Sequence, residues 1–297
     1  MTRSRRGIPL LALAAFLVAG CLDGTTPSLA PTPTRPPDPT PVVSTFELGA
    51  TVWYAGFVVT FERATALLDP RGGSVTVDVR FENAGTGELG SLPGPIRLVV
   101  GEEAFEPTRE TEIPGVEPGA TTAATIEFDV IGHGSVAGAA IVVGRDGEHQ
   151  PRIPLGPDGG EVAVFQPLML EVGGSGSAGQ LRLRLRSAEL RWDLPDWAQQ
   201  LPESSASLTV TYDVTYTGSF AGGHPFTAEN VALRLPDGTV VRARPDGRSQ
   251  SIELIAPGKT KRSLRTRFEI PAGVVGEVAV VVIDGDARSR VEFSLPG

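Results

Sequence analysis

Cysteine and histidine are scarce in this chain of 297 residues, which holds one cysteine, Cys21, and three histidines. A single cysteine cannot form an internal disulfide bond, so stability must come from burial of an apolar core. Hydrophobic residues make up 40% of the sequence, which is enough for such a core. None of the histidines, His133, His149 and His224, lies at metal-ligand spacing from another histidine or from the cysteine. The sequence therefore predicts no metal site.

Sequence signatures of catalysis are missing as well. No Gly-x-Ser-x-Gly nucleophile motif occurs, and the acidic residues fall mostly on alternating strand positions or in turns. Several Asp-Gly pairs are present, but no loop has the Asp-x-Asp-x-Asp-Gly spacing of a calcium site, and Asp-Gly is a common hairpin turn. We therefore expect a protein that is not an enzyme, with no catalytic residue and no cofactor.

Basic residues are outnumbered by acidic ones, and the formal net charge is −9 at pH 7. Loss of residues 1–20, which contain Arg3, Arg5 and Arg6, would leave −12. A chain this acidic is repelled by nucleic acid and by anionic membrane surfaces. We expect no nucleic-acid partner.

The first 21 residues carry the signals of export in the expected order. Three arginines precede a short apolar run from Ile8 to Val18, which is too short to span a bilayer comfortably. Small residues then lead to the only cysteine, in the sequence Val18-Ala19-Gly20-Cys21. These four residues resemble the lipobox of bacterial lipoproteins, which implies cleavage after residue 20 and a lipid on the Cys21 thiol. The alternative is an uncleaved anchor with an incidental cysteine.

Residues 21–42 form a proline- and threonine-rich segment. Seven of these residues are proline, which lacks an amide donor and fixes φ, so neither a helix nor a central strand is available. We expect a disordered, extended linker that could reach about 60 Å at ~3.1 Å per residue. The lipid on Cys21 and this linker together predict an extracytoplasmic protein tethered to the cell membrane.

The rest of the chain contains an internal repeat. Strictly alternating segments at 74–81 and 207–214 are followed by matching strand and turn patterns at a sequence offset between 133 and 140. Each copy has about seven short predicted strands with turns every 8–12 residues. This pattern is typical of an immunoglobulin-like β-sandwich, with a β-barrel as the alternative. We predict an all-β fold with two tandem sandwiches at 43–158 and 159–297.

The turns of the second copy carry a family resemblance. Leu235-Pro236-Asp237-Gly238, Ala256-Pro257-Gly258 and Phe268-Glu269-Ile270-Pro271 appear in the order seen in immunoglobulin-like domains of the DUF4352 type on bacterial lipoproteins. The first copy resembles this family less, since Ile131-Gly132 stands where the proline would be. The resemblance implies an extracytoplasmic module and brings no catalytic residues.

Two features belong to the second copy alone. Arg182, Arg184 and Arg186 alternate with leucines, which puts the three guanidinium groups on one face of a strand. Residues 189–204 have no counterpart in the first copy and predict a short helix, with Asp193 as its cap and Trp197 and Leu201 on one face. The three arginines, Trp192 and Trp197 form our candidate partner surface. The alternatives are a solvated strand face and tryptophans that plug the end of the sandwich.

These observations predict a membrane-anchored, non-enzymatic binding or assembly module. Its partner would be an envelope protein or a wall polymer, bound through the second copy. The basic strand could bind an anion, or could dock the acidic first copy, in which residues 43–158 hold 7 basic and 17 acidic residues. The alternative functions are a structural spacer without a specific ligand and an enzyme of an unrecognised type.

Overall fold

The computed structural model describes residues 38–85, 90–244 and 252–297. The proposed lipobox (Val18, Ala19, Gly20), Cys21 and most of the linker lie outside these residues. The described part is an all-β structure built from antiparallel sheets, as the alternation of the sequence predicts. Its helical turns are three 3-10 helices, η1 (Pro157–Gly159), η2 (Pro195–Trp197) and η3 (Ala228–Asn230).

The first half of the structure, residues 39–165, contains eight strands. They are β1 (Val42–Tyr54), β2 (Phe57–Asp69), β3 (Gly72–Asn83), β4 (Ile96–Val100), β5 (Glu103–Phe105), β6 (Thr121–Ile131), β7 (Ala139–Val143) and β8 (Arg152–Pro154). They form two four-stranded sheets, with the orders β1-β2-β3-β6 and β5-β4-β7-β8. Strand β3 shows why these sequences form strands: Val75, Val77, Val79 and Phe81 all face the core.

The second half, residues 166–297, contains thirteen strands. They are β9 (Leu168–Leu170), β10 (Ser175–Ala178), β11 (Leu181–Arg191), β12 (Asp193–Leu194), β13 (Gln199–Gln200), β14 (Ser205–Tyr216), β15 (His224–Phe226), β16 (Val231–Arg234), β17 (Val240–Arg242), β18 (Glu253–Ile255), β19 (Thr260–Pro271), β20 (Gly276–Asp284) and β21 (Ala287–Leu295). The main sheets have the orders β10-β11-β14-β19 and β17-β16-β20-β21, and β12-β13 and β15-β18 are separate two-stranded sheets.

The two halves share one pairing order. Strands β2, β3 and β6 are neighbours in the same sequence as β11, β14 and β19, and β5-β4-β7-β8 corresponds to β17-β16-β20-β21. The repeated segments of the sequence therefore occupy equivalent places in the sheets. In each half the pairing of described strands gives two separate main sheets, as in a sandwich, and not the single continuous sheet of a closed barrel.

Each half has its own apolar core. The first core draws on buried side chains from Val52 to Leu155, with Phe57, Phe61, Phe81 and Phe128 among the largest. The second core extends from Ala178 to Leu295 and includes Tyr212, Tyr216 and Phe268. The buried inward faces of facing sheets supply the hydrophobic stabilisation in both cases.

The chain remains attached to the first half beyond residue 158. Ala163 pairs with Arg152 in an isolated bridge, and the carbonyl of Val164 accepts a hydrogen bond of 2.9 Å from the amide of Trp53. Val164 also packs against the first core. The connection between the halves is therefore short, and the sheet of the second half starts at Leu168.

Candidate functional site

Residues 192–203, which the second half has and the first half lacks, form a small hairpin. Strands β12 and β13 pair Asp193 with Gln200 and Leu194 with Gln199, and the 3-10 turn η2 joins them. Ala198 closes the turn in the left-handed conformation, with φ of 46°. The predicted short helix is present only as this single 3-10 turn, which starts at Pro195 and ends at Trp197, before Leu201. Asp193 is not its cap: the N-cap is Leu194, without a side-chain cap hydrogen bond, and Asp193 is paired as a strand residue. We name residues 192–203 the junction hairpin.

One side of the junction hairpin binds the turn between β1 and β2. The amide of Gly56 donates to Oδ2 of Asp193 at 2.7 Å, and the amide of Ala55 donates to Oε1 of Gln200 at 2.8 Å. Both acceptor residues are 4% exposed. Gly56 has φ of +87°, and a Cβ there would lie 2.9 Å from Cα of Pro195. Glycine is therefore required both by the turn and by the close approach of the hairpin.

A second set of contacts joins the hairpin to residues 147–149. Nε2 of Gln200 donates to the carbonyl of His149 at 2.8 Å, and the amide of His149 donates to the carbonyl of Leu201 at 3.1 Å. The amide of Glu203 donates to the carbonyl of Gly147 at 3.0 Å. The His149 ring is buried and its Nε2 donates to the carbonyl of Ser205 at 2.7 Å. The junction hairpin therefore connects the two halves through buried, satisfied polar groups.

Aromatic residues complete this junction. The ring centre of Phe165 lies 5.0 Å from that of His149 and 6.0 Å from that of Trp192, against which it packs edge-on.

Within the first half, the hydroxyl of Tyr54 donates to Oε2 of Glu148 at 2.6 Å. Burial, with the hydrogen bond to the Glu148 carboxylate, raises the pKa of the Tyr54 hydroxyl above its ordinary value. Tyr54 therefore stays a neutral donor.

The 3-10 turn η2 of the junction hairpin borders a groove on the polar face of the β11-β14-β19 sheet. Trp197 is 42% exposed there, and the guanidinium carbon of Arg267 lies 4.9 Å from the centre of its ring. We name this depression, of about 390 Å³, the Trp197 groove. Its lining residues are Glu189, Arg191, Asp193, Leu194, Pro195, Asp196, Trp197, Ser207, Thr209, Glu253, Ser263, Leu264, Arg265 and Arg267.

Arg191 forms the boundary between the groove and the junction. Its Nε donates to Oδ1 of Asp193 at 2.7 Å and its Nη1 donates to Oε1 of Glu189 at 2.9 Å. Burial lowers the pKa of this guanidinium, but the hydrogen bonds and charges of Asp193 and Glu189 outweigh burial and raise it. Asp193 is consequently shared: one carboxylate holds both Arg191 and the amide of Gly56.

The arginine strand adopts the predicted alternation. Leu181, Leu183 and Leu185 are buried, and the three intervening arginines are exposed. Arg186 pairs with Asp213 of the same sheet, where Nε and Oδ2 are 2.8 Å apart. Among the described residues, no hydrogen bond or ion pair joins Arg182, Arg184 or Arg186 to the first half. The hydrogen bonds between the halves come from the junction hairpin and from the bond of His149 to Ser205 instead.

The structure does not bring the five candidate residues into one site. Trp197 lines the groove with Arg191, Arg265 and Arg267, whereas Arg182, Arg184 and Arg186 are not among its lining residues. Trp192 packs against the second core and lines a different depression, of about 640 Å³, with Met169 and Val275. Arg265 and Arg267 belong to a second basic run in the sequence, which also contains Lys259, Lys261 and Arg262. The groove residues that β11 and β14 contribute lie far from this run in the sequence and cannot be inferred from it.

Other chemistry-bearing side chains have local structural roles. Nε2 of His224 lies 3.0 Å from Oδ1 of Asp284, whose Oδ2 accepts the amide of Gln180 at 2.7 Å. His133 pairs with Glu103 at 3.0 Å on the surface. In residues 38–85, 90–244 and 252–297, no three His, Cys, Asp or Glu side chains are grouped so as to hold a metal ion. The described part of the chain also has no helix of the length and apolarity that crossing a membrane requires.

Neither the family models nor the curated proteins give a significant match to the chain.

Proposed function

We propose that the chain is a lipid-anchored, extracytoplasmic binding module made of two immunoglobulin-like domains, and that the Trp197 groove of the second domain is its binding site. The single observation that carries this proposal is the groove itself. An exposed tryptophan, held by a buried arginine, stands beside polar side chains of three strands. Exposed aromatic anchors of this kind are favoured at binding sites.

The pairing order of the strands supports the immunoglobulin-like assignment. In such sandwiches strands A, B and E are neighbours in one sheet, and strands C, F and G in the other. The triplets β2-β3-β6 and β4-β7-β8 have this arrangement, as do β11-β14-β19 and β16-β20-β21. Strands β5 and β17 then take the place of the additional strand beside C. The two domains would correspond to the two cores.

The proposed lipid anchor rests on the Val18-Ala19-Gly20-Cys21 motif, which follows three arginines and a short apolar run. Strand β1 begins at Val42, which pairs with Leu68, and ends at Tyr54, which pairs with Phe57 next to the junction hairpin.

Site-specific photocrosslinking tests the binding role in intact cells. A photoreactive amino acid at position 253 of the full chain places the probe in the groove, and the matched control carries it at position 290 on β21. We expect position 253 to give a crosslink to an envelope component, protein or wall polymer, that position 290 does not give. The Trp197→Ala change should remove that crosslink. The absence of a crosslink specific to position 253 would contradict the proposal and favour a structural spacer.

A further inference from the structure

The charges around the Trp197 groove nearly cancel. Three arginines and four acidic residues line it. Two of these acidic residues are engaged by Arg191, and Nζ of Lys261 donates to Oε2 of Glu253 at 2.9 Å. A polyanion would meet the carboxylates of Asp196 and Glu253 in a chain that is already acidic. The balance of charge therefore favours a ligand without net charge.

The aromatic wall disfavours a cationic ligand. A positive ligand group would normally bind to the negative face of an indole. Here the guanidinium of Arg267 already lies over the Trp197 ring, and Arg267 is only 9% exposed. A second cation would be repelled by the first. The exposed part of the Trp197 ring gives a ligand a flat apolar surface. Pro195 and Leu194 lie beside it in the groove lining.

The floor of the groove provides hydrogen-bonding groups of both kinds. Thr209 of β14 and Ser263 of β19 carry accessible hydroxyls, which both donate and accept, whereas the nearby Ser207 is buried. Arg265 adds a planar set of donors, and Asp196 adds acceptors at the edge of the turn. A ligand that matches this groove has an apolar C–H face for the indole and hydroxyls around its rim.

We propose that the Trp197 groove binds a neutral carbohydrate chain, an inference that rests on the proposed function of this groove as the binding site. A sugar ring has an apolar face of axial C–H groups and a rim of hydroxyls, and the groove has the complementary surfaces on its two sides. The volume of about 390 Å³ lies in the range of ligand sites.

The groove is also organised before the ligand arrives. Its turn is held by the bonds of Asp193 and Gln200 to the first half, and its tryptophan is held by Arg267. A ligand that finds its contacts already in place loses less free energy to ordering of side chains. The smaller ordering cost compensates in part for the weak individual contacts that a neutral sugar makes.

The test is a titration of residues 22–297, the predicted mature chain without lipid, with three neutral probes: cellohexaose, laminarihexaose and chitohexaose. Tryptophan fluorescence and calorimetry report the binding. We expect at least one probe to bind, and the Trp197→Ala and Arg265→Ala variants to bind it about tenfold or more weakly. Arg290→Ala, on the opposite sheet, is the matched control and should bind like the parent chain. Binding should change little between about 0.05 and 0.5 M salt, because screening does not act on a neutral ligand.

Three results would overturn the carbohydrate inference. They are no binding of any probe up to about 10 mM, binding that Trp197→Ala and Arg265→Ala leave unchanged, and binding that disappears at high salt. A groove-specific crosslink to an envelope protein, together with no sugar binding, would leave the proposed binding role standing and reject carbohydrate as the ligand. Failure of both experiments would reject the binding role itself.

Discussion

Asp193 accepts a hydrogen bond of 2.7 Å from the amide of Gly56, which precedes it by 137 residues. The same carboxylate accepts two hydrogen bonds from Arg191. Asp193 is thus a buried charge that is fully paired, once with a neighbouring side chain of its own half and once with the backbone of the other half. The attachment of the two halves depends on this residue more than on any exposed ion pair, since exposed pairs contribute little.

The change Asp193→Asn should weaken the junction. An amide offers one acceptor oxygen where the carboxylate uses two, so either Nε of Arg191 loses its acceptor, or the Gly56 amide and Nη2 of Arg191 lose theirs. Loss of a buried hydrogen bond costs about 1–3 kcal/mol, and the urea midpoint should fall accordingly. The matched control is Asp286→Asn on the exposed turn after β20, which we expect to stay within about 0.5 kcal/mol of the parent. Equal stability of the two variants would show that the Asp193 bond contributes nothing.

A methyl group at Gly56 should disturb the same contact from the other side. Its Cβ would lie 2.9 Å from Cα of Pro195, in a residue with φ of +87°. Gly49 is the control, because it has φ of +54° and nothing within 4 Å of its Cβ position. Gly49→Ala should cost about 1–2 kcal/mol from backbone strain alone, and Gly56→Ala a further 1–3 kcal/mol or so from the clash. Chemical unfolding of both variants measures the difference, and equal losses would contradict the close approach.

Trp197 and Trp192 should differ in their effect on stability. Trp197 is 42% exposed and makes a cation–π contact, so Trp197→Ala should lower the free energy of unfolding by only about 1 kcal/mol. Trp192 is half-buried against the second core, and Trp192→Ala should cost about 3 kcal/mol. Denaturant melts of the two variants compare them directly. A loss of 3 kcal/mol or more at Trp197 would identify it as a core residue and weaken its assignment to a binding groove.

Acid should remove the stabilisation that Asp213 provides. The hydrogen bonds from Arg186, helped by the amide of Ser263, lower the pKa of Asp213 below its ordinary value. A carboxyl with a lowered folded-state pKa stabilises the protein above its unfolded pKa of about 3.9, and this contribution is lost as the pH falls through the folded value. The difference in unfolding free energy between the parent and Asp213→Asn should therefore be largest near neutral pH and shrink below about pH 4. A difference that is constant with pH would contradict the ion pair.

The lipid anchor has its own test, since Cys21 lies outside the described residues. Cys21→Ser removes the thiol that the lipobox Val18-Ala19-Gly20-Cys21 would present for lipidation. Labelling of cells with a fatty-acid analogue should mark the parent chain and leave the variant unmarked, and the variant should leave the membrane fraction. Equal labelling of both chains would reject the anchor.

The sequence predicted the repeated strands well because their burial alternates. In β3 and β14 every second side chain faces the core, and the sequence shows the same period as an alternation of apolar and polar residues. Strand β1 was not predicted. Its first residues are almost all exposed, and a shift in register separates Glu47 from Ala50, so the pattern is broken.

The candidate site was only partly predictable. The sequence predicted Trp197 and basic residues near it. It predicted Arg182, Arg184 and Arg186, however, whereas the arginines that line the groove are Arg191, Arg265 and Arg267. A register shift in β11 between Leu185 and Ser187 directs Glu189 and Arg191 to the groove, and such shifts leave little trace in composition. The two bonds to the turn between β1 and β2 join residues more than 130 positions apart, and no local sequence pattern predicts them.

The position of β1 has a mechanical consequence. In a chain tethered at residue 21 and loaded at Trp197, tension enters β1 at Val42 and reaches Ala55 and Gly56, which the junction hairpin holds through Gln200 and Asp193. The load then acts along β1, which is paired with β2 through eleven residues. Strands pulled along their length must break such bonds together, whereas strands peeled from one end break them singly. We expect the hairpin contacts to release before either core is opened.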